Sequence, residues 1–218
     1  MSDRSPIDGA QQARPGLKPT AGADGLTRMQ RLLWAGQALA GDVPLYNMIH
    51  TYRFDGTLDP ARFDQAFHTV VNGSDALRTV FQTDAQGLAR QRIRDSVPPS
   101  LNHVDLSHHA DPESAFQTWV ADRCRRVLNL DRGVFDSALV RLAPDCLIWY
   151  INIHHLVVDG WAFGVFQGRL ATCYEALGQN ADEPIEAWPQ YLPYREFEHT
   201  QQSRERAQNC AAYWAERG

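Results

Sequence analysis

The run Leu147-Ile148-Trp149-Tyr150-Ile151 constrains this chain more than any other stretch. Successive side chains of a strand point to opposite faces, so a strand apolar at every position needs cover on both sides. It predicts a central strand in a sheet flanked by helices, with Ala138–Leu142 as hairpin partner across Pro144-Asp145. A second hairpin is expected from Leu77–Thr83 and Leu88–Ile93, joined by the turn residues Asp84-Ala85-Gln86-Gly87. Met48 to Phe54 is β-branched and aromatic enough for another strand.

Helices are marked by their caps. Thr27 and Gln30 have capping-box spacing, and Met29, Leu32, Leu33 and Gly36 follow on one helical face, ending near Gly41 and Pro44. Asp59-Pro60 and Asp111-Pro112 each put a capping carboxylate before a proline at the first helical position. Their apolar stripes are Phe63, Phe67, Val70 and Val71, then Phe116, Trp119, Val120, Cys124 and Val127. A further helix is expected from about Gly160 to Leu177 with Phe163, Phe166, Leu170, Tyr174 and Leu177 inward, and a last one from about Arg195 to Trp214. The order predicts an α/β or α+β fold, one mixed sheet with helices on its faces. Residues 1–25, rich in Pro and Gly and poor in large apolar side chains, bury too little to offset their ordering entropy and read as a flexible tail. The structured unit is then 26–218.

With 218 residues, 44% of them apolar, the chain has material for a core. The 26 acidic against 21 basic residues give a net charge of −5 without a basic block, which argues against nucleic acid as a partner. No apolar run approaches the roughly 18 residues of a membrane span, and no secretory leader is visible. Cys124, Cys146, Cys173 and Cys210 are widely spaced and read as reduced thiols of a cytoplasmic protein.

One segment carries chemistry: Asn152-Ile153-His154-His155-Leu156-Val157-Val158-Asp159-Gly160-Trp161. Adjacent strand histidines diverge, so one is expected in a cleft and the other in the interior. The same divergence, without a third convergent ligand, argues against a metal site. A neutral imidazole can take a proton from an amine or hydroxyl nucleophile. Asp159 would either orient the loop through a buried ion pair or polarise a histidine, and Gly160 permits a tight turn and close approach of a substrate backbone. The sequence has neither a G-x-S-x-G elbow nor a phosphate-binding glycine loop. The candidate catalytic set is His154, His155, Asp159 and Gly160, with no metal and no directly bound cofactor.

These residues resemble the HHxxxDG motif of nonribosomal peptide synthetase condensation domains, in the chloramphenicol acetyltransferase-like superfamily. Further collinear matches are Leu26-Thr27 with Gln30 and Leu33-Trp34, Tyr46-Asn47, Gly56-Thr57-Leu58-Asp59, Leu77-Arg78-Thr79-Val80-Phe81 and Tyr213-Trp214. The chain departs from the family at Gly73-Ser74-Asp75, where RHE is usual, and at Ala162, where Ser often follows DGW. Retention of His154 argues for amide or ester formation without cyclisation, and Asp75-Ala76-Leu77-Arg78, the Asp111-Pro112 helix and Trp149-Tyr150 are similar to starter-type or enterobactin-synthetase-type domains, which take acyl or aryl donors.

The resemblance implies one lobe of a V-shaped pair, the C-terminal lobe being absent, with the active site in the tunnel between lobes. It implies donor and acceptor carrier proteins presenting substrates on 4'-phosphopantetheine, and downstream synthetase domains as partners. His155 would be the general base or the group that positions the amine. Asp159 would be ion-paired with an Arg, for which Arg78 is the candidate, and the Gly160 N–H would face the thioester or the developing oxyanion. The implied lobe would be inactive alone. Two other readings stand beside it: a degenerate carrier-binding module, and a free-standing CoA-dependent acyltransferase completed by oligomerisation.

Overall fold

A computed structural model describes residues 17–19, 25–98, 101–179, 188–198 and 200–217. The elements in order are β1 Leu17–Pro19, α1 Arg28–Ala40, β2 Asn47–Asp55, α2 Pro60–Gly73, β3 Thr79–Thr83, β4 Ala89–Arg94, β5 Leu101–Asp105, α3 Pro112–Cys124, β6 Phe135–Ala143, β7 Cys146–His154, α4 Gly160–Gly178, α5 Tyr191–Glu198 and α6 Gln201–Ala215. Apart from Leu17–Pro19 and Gly25, the proposed tail lies outside the described residues.

The expected mixed sheet is present with strand order β2-β7-β6-β5. β7 pairs antiparallel with β2 and β6 and is buried along its whole length, as its two-faced apolar run requires. On one face Trp149, Ile151 and Ile153 pack beneath Phe63 and Phe67 of α2 and Phe163 and Phe166 of α4. On the other, Ile148 and Tyr150 meet Phe116 and Trp119 of α3. The buried Trp149 indole donates to Ser137 Oγ at 2.9 Å, so its one polar atom is satisfied.

The 79–94 hairpin forms a separate antiparallel sheet, order β1-β4-β3, beside the mixed one. Gly87, at φ 80°, supplies the left-handed residue of its turn. The strand β5 has no counterpart in the sequence reading. It pairs parallel with β6 across the α3 crossover, so no hairpin turn announces it.

The caps form as expected: Thr27 and Gln30 make both bonds of the capping box, and Asp59 and Asp111 accept from first-turn N–H groups. Three helical expectations change. In α1, Met29 and Leu32 are 62% and 67% exposed while Gln30 is buried, because the capping box turns Gln30 toward the body of the protein. The α3 stripe ends at Cys124; the chain turns there and Val127 lies outside the helix. The last helix is two, α5 and α6, with α5 beginning at Tyr191.

Candidate active site

β7 delivers the two histidines to opposite sides of its end. His154 is fully buried, and its Nδ1 accepts the Leu156 N–H at 3.1 Å. Burial, helped by the adjacent His155, lowers its pKa to about 4, so the ring is neutral at pH 7. With Nδ1 accepting, the ring proton is assigned to Nε2. His154 borders neither cavity of this site. Instead it ties the turn: Nδ1 holds Leu156, its carbonyl accepts from Val157 at 3.2 Å, and its N–H reaches the Val134 carbonyl at 2.9 Å.

His155 is the exposed member. Its side chain borders a cavity of about 350 Å³ shared with Gln30, Asp159 and Tyr191. Its backbone is pinned by donation to the Tyr46 carbonyl at 2.9 Å. Tyr46 approaches α1 closely enough at Gly36 that a Cβ there would collide with the phenol, which gives Gly36 a packing reason to be glycine.

Gln30 joins this loop to two other elements. Its Nε2 donates to the Leu156 carbonyl at 2.9 Å, and its Oε1 accepts from the Thr27 N–H at 3.0 Å and the Tyr191 hydroxyl at 2.7 Å. Tyr191 opens α5, and the buried Asp75 carboxylate fixes that helix start by accepting the Tyr191 and Leu192 N–H groups at 2.7 and 2.8 Å. The positioning of Gln30, Asp75 and Tyr191 around the loop is not legible locally: Gln30 and Leu156 stand 126 residues apart, Asp75 and Tyr191 116.

Two assignments are corrected. Asp159 is the N-cap of α4, its Oδ1 accepting the Ala162 N–H at 2.7 Å. Arg78 is directed elsewhere, its Nη1 donating to the carbonyls of Arg94 and Asp95 at the end of β4. Among the described residues no ion pair joins Arg78 to Asp159. The second correction concerns Gly160, which is the first residue of α4; its φ is not positive and a Cβ would meet nothing within 4 Å. It is not needed for turn geometry here. Its N–H and that of Trp161 belong to the first turn of α4, which lacks intrahelical acceptors. Among the described residues no cluster of His, Cys, Asp or Glu has the arrangement to hold a metal ion, and no helix is long and apolar enough to cross a membrane.

A second cavity, of about 310 Å³, lies between the start of α4 and the segments 74–77 and 188–191. It shares Ala76, Val157, Val158, Ala162 and Tyr191 with the His155 cavity, so the two are contiguous.

Comparison with known proteins accounts for this arrangement. The condensation-domain family profile matches residues 22–218. The chain belongs to the condensation-domain family. It is 31% identical over 220 residues to an isonitrile lipopeptide synthase of Streptomyces coeruleorubidus, covering all of this chain and 14% of that protein. It is 31% identical over 159 residues to a dimodular nonribosomal peptide synthase of Bacillus subtilis, covering 72% of this chain and 7% of that one. Among solved structures, the starter condensation domain of rhizomide synthetase superposes with a TM-score of 0.77 at 32% identity, covering 88% of this chain and 47% of that one. The first condensation domain of the calcium-dependent antibiotic synthetase gives 0.66 at 32%, with 77% and 40% covered. The chain thus spans less than half of these condensation structures and a small part of the synthetases.

Proposed function

We propose that this chain is the histidine-bearing lobe of an amide-forming condensation domain, acting on two substrates carried as 4'-phosphopantetheine thioesters by a donor and an acceptor carrier protein. The observation that carries the reading is His155: an exposed imidazole on a cavity wall, at the end of a buried strand, with the backbone around it fixed by Tyr46 and Gln30. Such preorganisation is what a group meeting a nucleophile needs.

In the proposed step the acceptor amine attacks the donor thioester carbonyl while His155 holds the amine and takes its proton. The carbon–nitrogen bond forms, the oxyanion collapses, and the carbon–sulfur bond breaks. The donor pantetheine leaves as thiolate and regains a proton. The first-turn N–H groups of Gly160 and Trp161, which have no acceptor within α4, are the donor type that a developing oxyanion requires. Asp159 contributes by fixing the start of α4.

Because the cavity around His155 is open on one side, the isolated chain is expected to fold without turning over substrate, and the remainder of a condensation domain to complete it. The test is amide formation between loaded carriers by the complete synthetase, followed by intact-protein mass spectrometry. His155→Ala should lower the rate by about 10²–10⁴-fold, the usual contribution of a positioned acid or base. Undiminished turnover by that variant would overturn the reading.

A further inference from the structure

We propose that Asn47 is a positioning residue for His155: its Oδ1 accepts the His154 Nε2–H and so holds the ring in the setting on which the histidine turn depends. This role rests on the proposed chemistry of His155, whereas the contact itself can be read without turnover.

Register brings the two side chains together. Asn47 opens β2 and stands directly opposite His154 at the end of β7. The next pair outward is joined by the His155 N–H and the Tyr46 carbonyl. The His154 N–H points the other way, to the Val134 carbonyl, and its own carbonyl serves Val157. Asn47 and His154 therefore form a non-hydrogen-bonded antiparallel pair. Side chains of such a pair share one face and lie closest, with Cα atoms about 4.5 Å apart.

Chemistry sets a donor against an acceptor. Asn47 Nδ2 donates to the Arg126 carbonyl at 3.0 Å, which orients the amide and leaves Oδ1 to be satisfied. Among the described residues that buried Oδ1 has no hydrogen-bond partner, and neither has the buried His154 Nε2. With Nδ1 accepting the Leu156 N–H, Nε2 carries the ring proton. Buried polar groups in folded proteins are paired, and this donor and this acceptor face each other across the two strands. The terminal torsions of Asn and His lie in broad wells, so the contact closes without leaving a rotamer. Asn152 Oδ1 is the competing acceptor, also buried without a partner among the described residues. It lies two residues back along β7, about 6.5–7 Å by the rise of a strand.

The consequence reaches His155 through the backbone. A proton on Nδ1 would confront the Leu156 N–H, donor against donor, and release the turn. Leu156 follows His155 directly, and its carbonyl is held by Gln30. Asn47, His154 and Leu156 thus set the backbone that carries His155.

The 218-residue chain, labelled with nitrogen-15, is followed near pH 8 by proton–nitrogen correlation of the histidine rings, with His154→Asn identifying the signals. In Asn47→Ala the His154 Nε2 proton should move upfield and exchange faster with water. Asn152→Ala should leave it in place. Asn47→Asp keeps the acceptor and loses the donor to Arg126. It should retain the Nε2–H signal, and its carboxylate should raise the titration midpoint of the ring from about 4 by roughly 1–3 pH units. A role confined to holding the Arg126 carbonyl would move neither signal. In the complete synthetase Asn47→Ala should lower kcat by about tenfold with KM little changed, within the 10²-fold that a misplacement of about 1 Å can cost. An Nε2 proton unmoved in Asn47→Ala, or moved only in Asn152→Ala, would overturn the proposal. Should Asn47→Ala not fold, an unmoved midpoint in Asn47→Asp would overturn it equally. A moved proton with undiminished kcat would refute the positioning of His155. Full amide formation by His155→Ala would instead overturn the catalytic reading and leave the contact between Asn47 and His154 standing.

Discussion

Replacing Gln30 should cost far more than replacing an ordinary helix-capping residue. Gln30→Ala removes the donor for the Leu156 carbonyl and the acceptor for the Thr27 N–H and the Tyr191 hydroxyl, in a region where Gln30 and Thr27 are buried. Stranding a buried polar group costs about 1–3 kcal/mol, and partial rehydration from the neighbouring cavity relieves some of it. The sum is about 4 kcal/mol. With a urea m-value of roughly 2.5 kcal/mol/M for a chain of this size, the unfolding midpoint should fall by about 1.5 M. Thr27→Ala is the reference, since it loses the cap to the Gln30 N–H at 3.2 Å and should cost about 1 kcal/mol. Equilibrium urea unfolding followed by far-UV circular dichroism measures both. Gln30→Glu separates the roles, because it keeps the acceptor and sets a carboxylate oxygen against the Leu156 carbonyl. It should spare the Tyr191 bond yet destabilise the loop, and in the complete domain lower kcat more than it raises KM. If Gln30→Ala costs no more than Thr27→Ala, the argument that Gln30 ties three elements together is refuted.

Arg78 and Asp159 should behave as independent sites: in a double-mutant cycle of Arg78→Ala and Asp159→Ala the stability changes should add within about 0.5 kcal/mol, and a coupling above 1 kcal/mol would restore the ion pair that the structure does not show. Acid should weaken the fold through His154, whose folded pKa of about 4 lies below its ordinary 6.5, so the unfolded chain binds the proton first and stability falls as pH drops through that window. Between pH 7 and 5 this one group costs about 2 kcal/mol; His154→Asn, which retains an acceptor for the Leu156 N–H, should lose correspondingly less over the same interval in thermal unfolding.

What the sequence disclosed was whatever short-range chemistry determines. Thr27, Asp59 and Asp111 cap their helices because the backbone N–H donors that their side chains accept from lie within three residues. The β6–β7 hairpin follows from two apolar runs around Pro144-Asp145. Strand alternation separated His154 from His155 before any coordinates were needed. Long-range geometry decided the rest. Arg78 and Asp159 are both motif residues, but the carboxylate is used at the start of α4 and the guanidinium at the end of β4. Met29 and Leu32 have helical spacing but lie on the exposed face, since periodicity identifies a stripe and not the side that is covered. Gln30 was visible as a cap; its hold on Leu156 and Tyr191 was not.

The separation of the histidines also explains why the pair is not interchangeable. β7 is covered on both faces, so its register is fixed by Trp149, Ile151 and Ile153 on one side and Ile148 and Tyr150 on the other. A slip of one residue would exchange every pair of faces at once and expose the first set to the environment of the second. His154 and His155 inherit that constraint at the strand end. One ring must be accommodated without charge in the interior, where it serves the turn through Leu156, and only the other reaches the cavity. The proposed chemistry therefore depends on the apolar core beneath it: substitutions at Trp149 or Ile153 that loosen the register would displace His155 without touching the cavity that it serves.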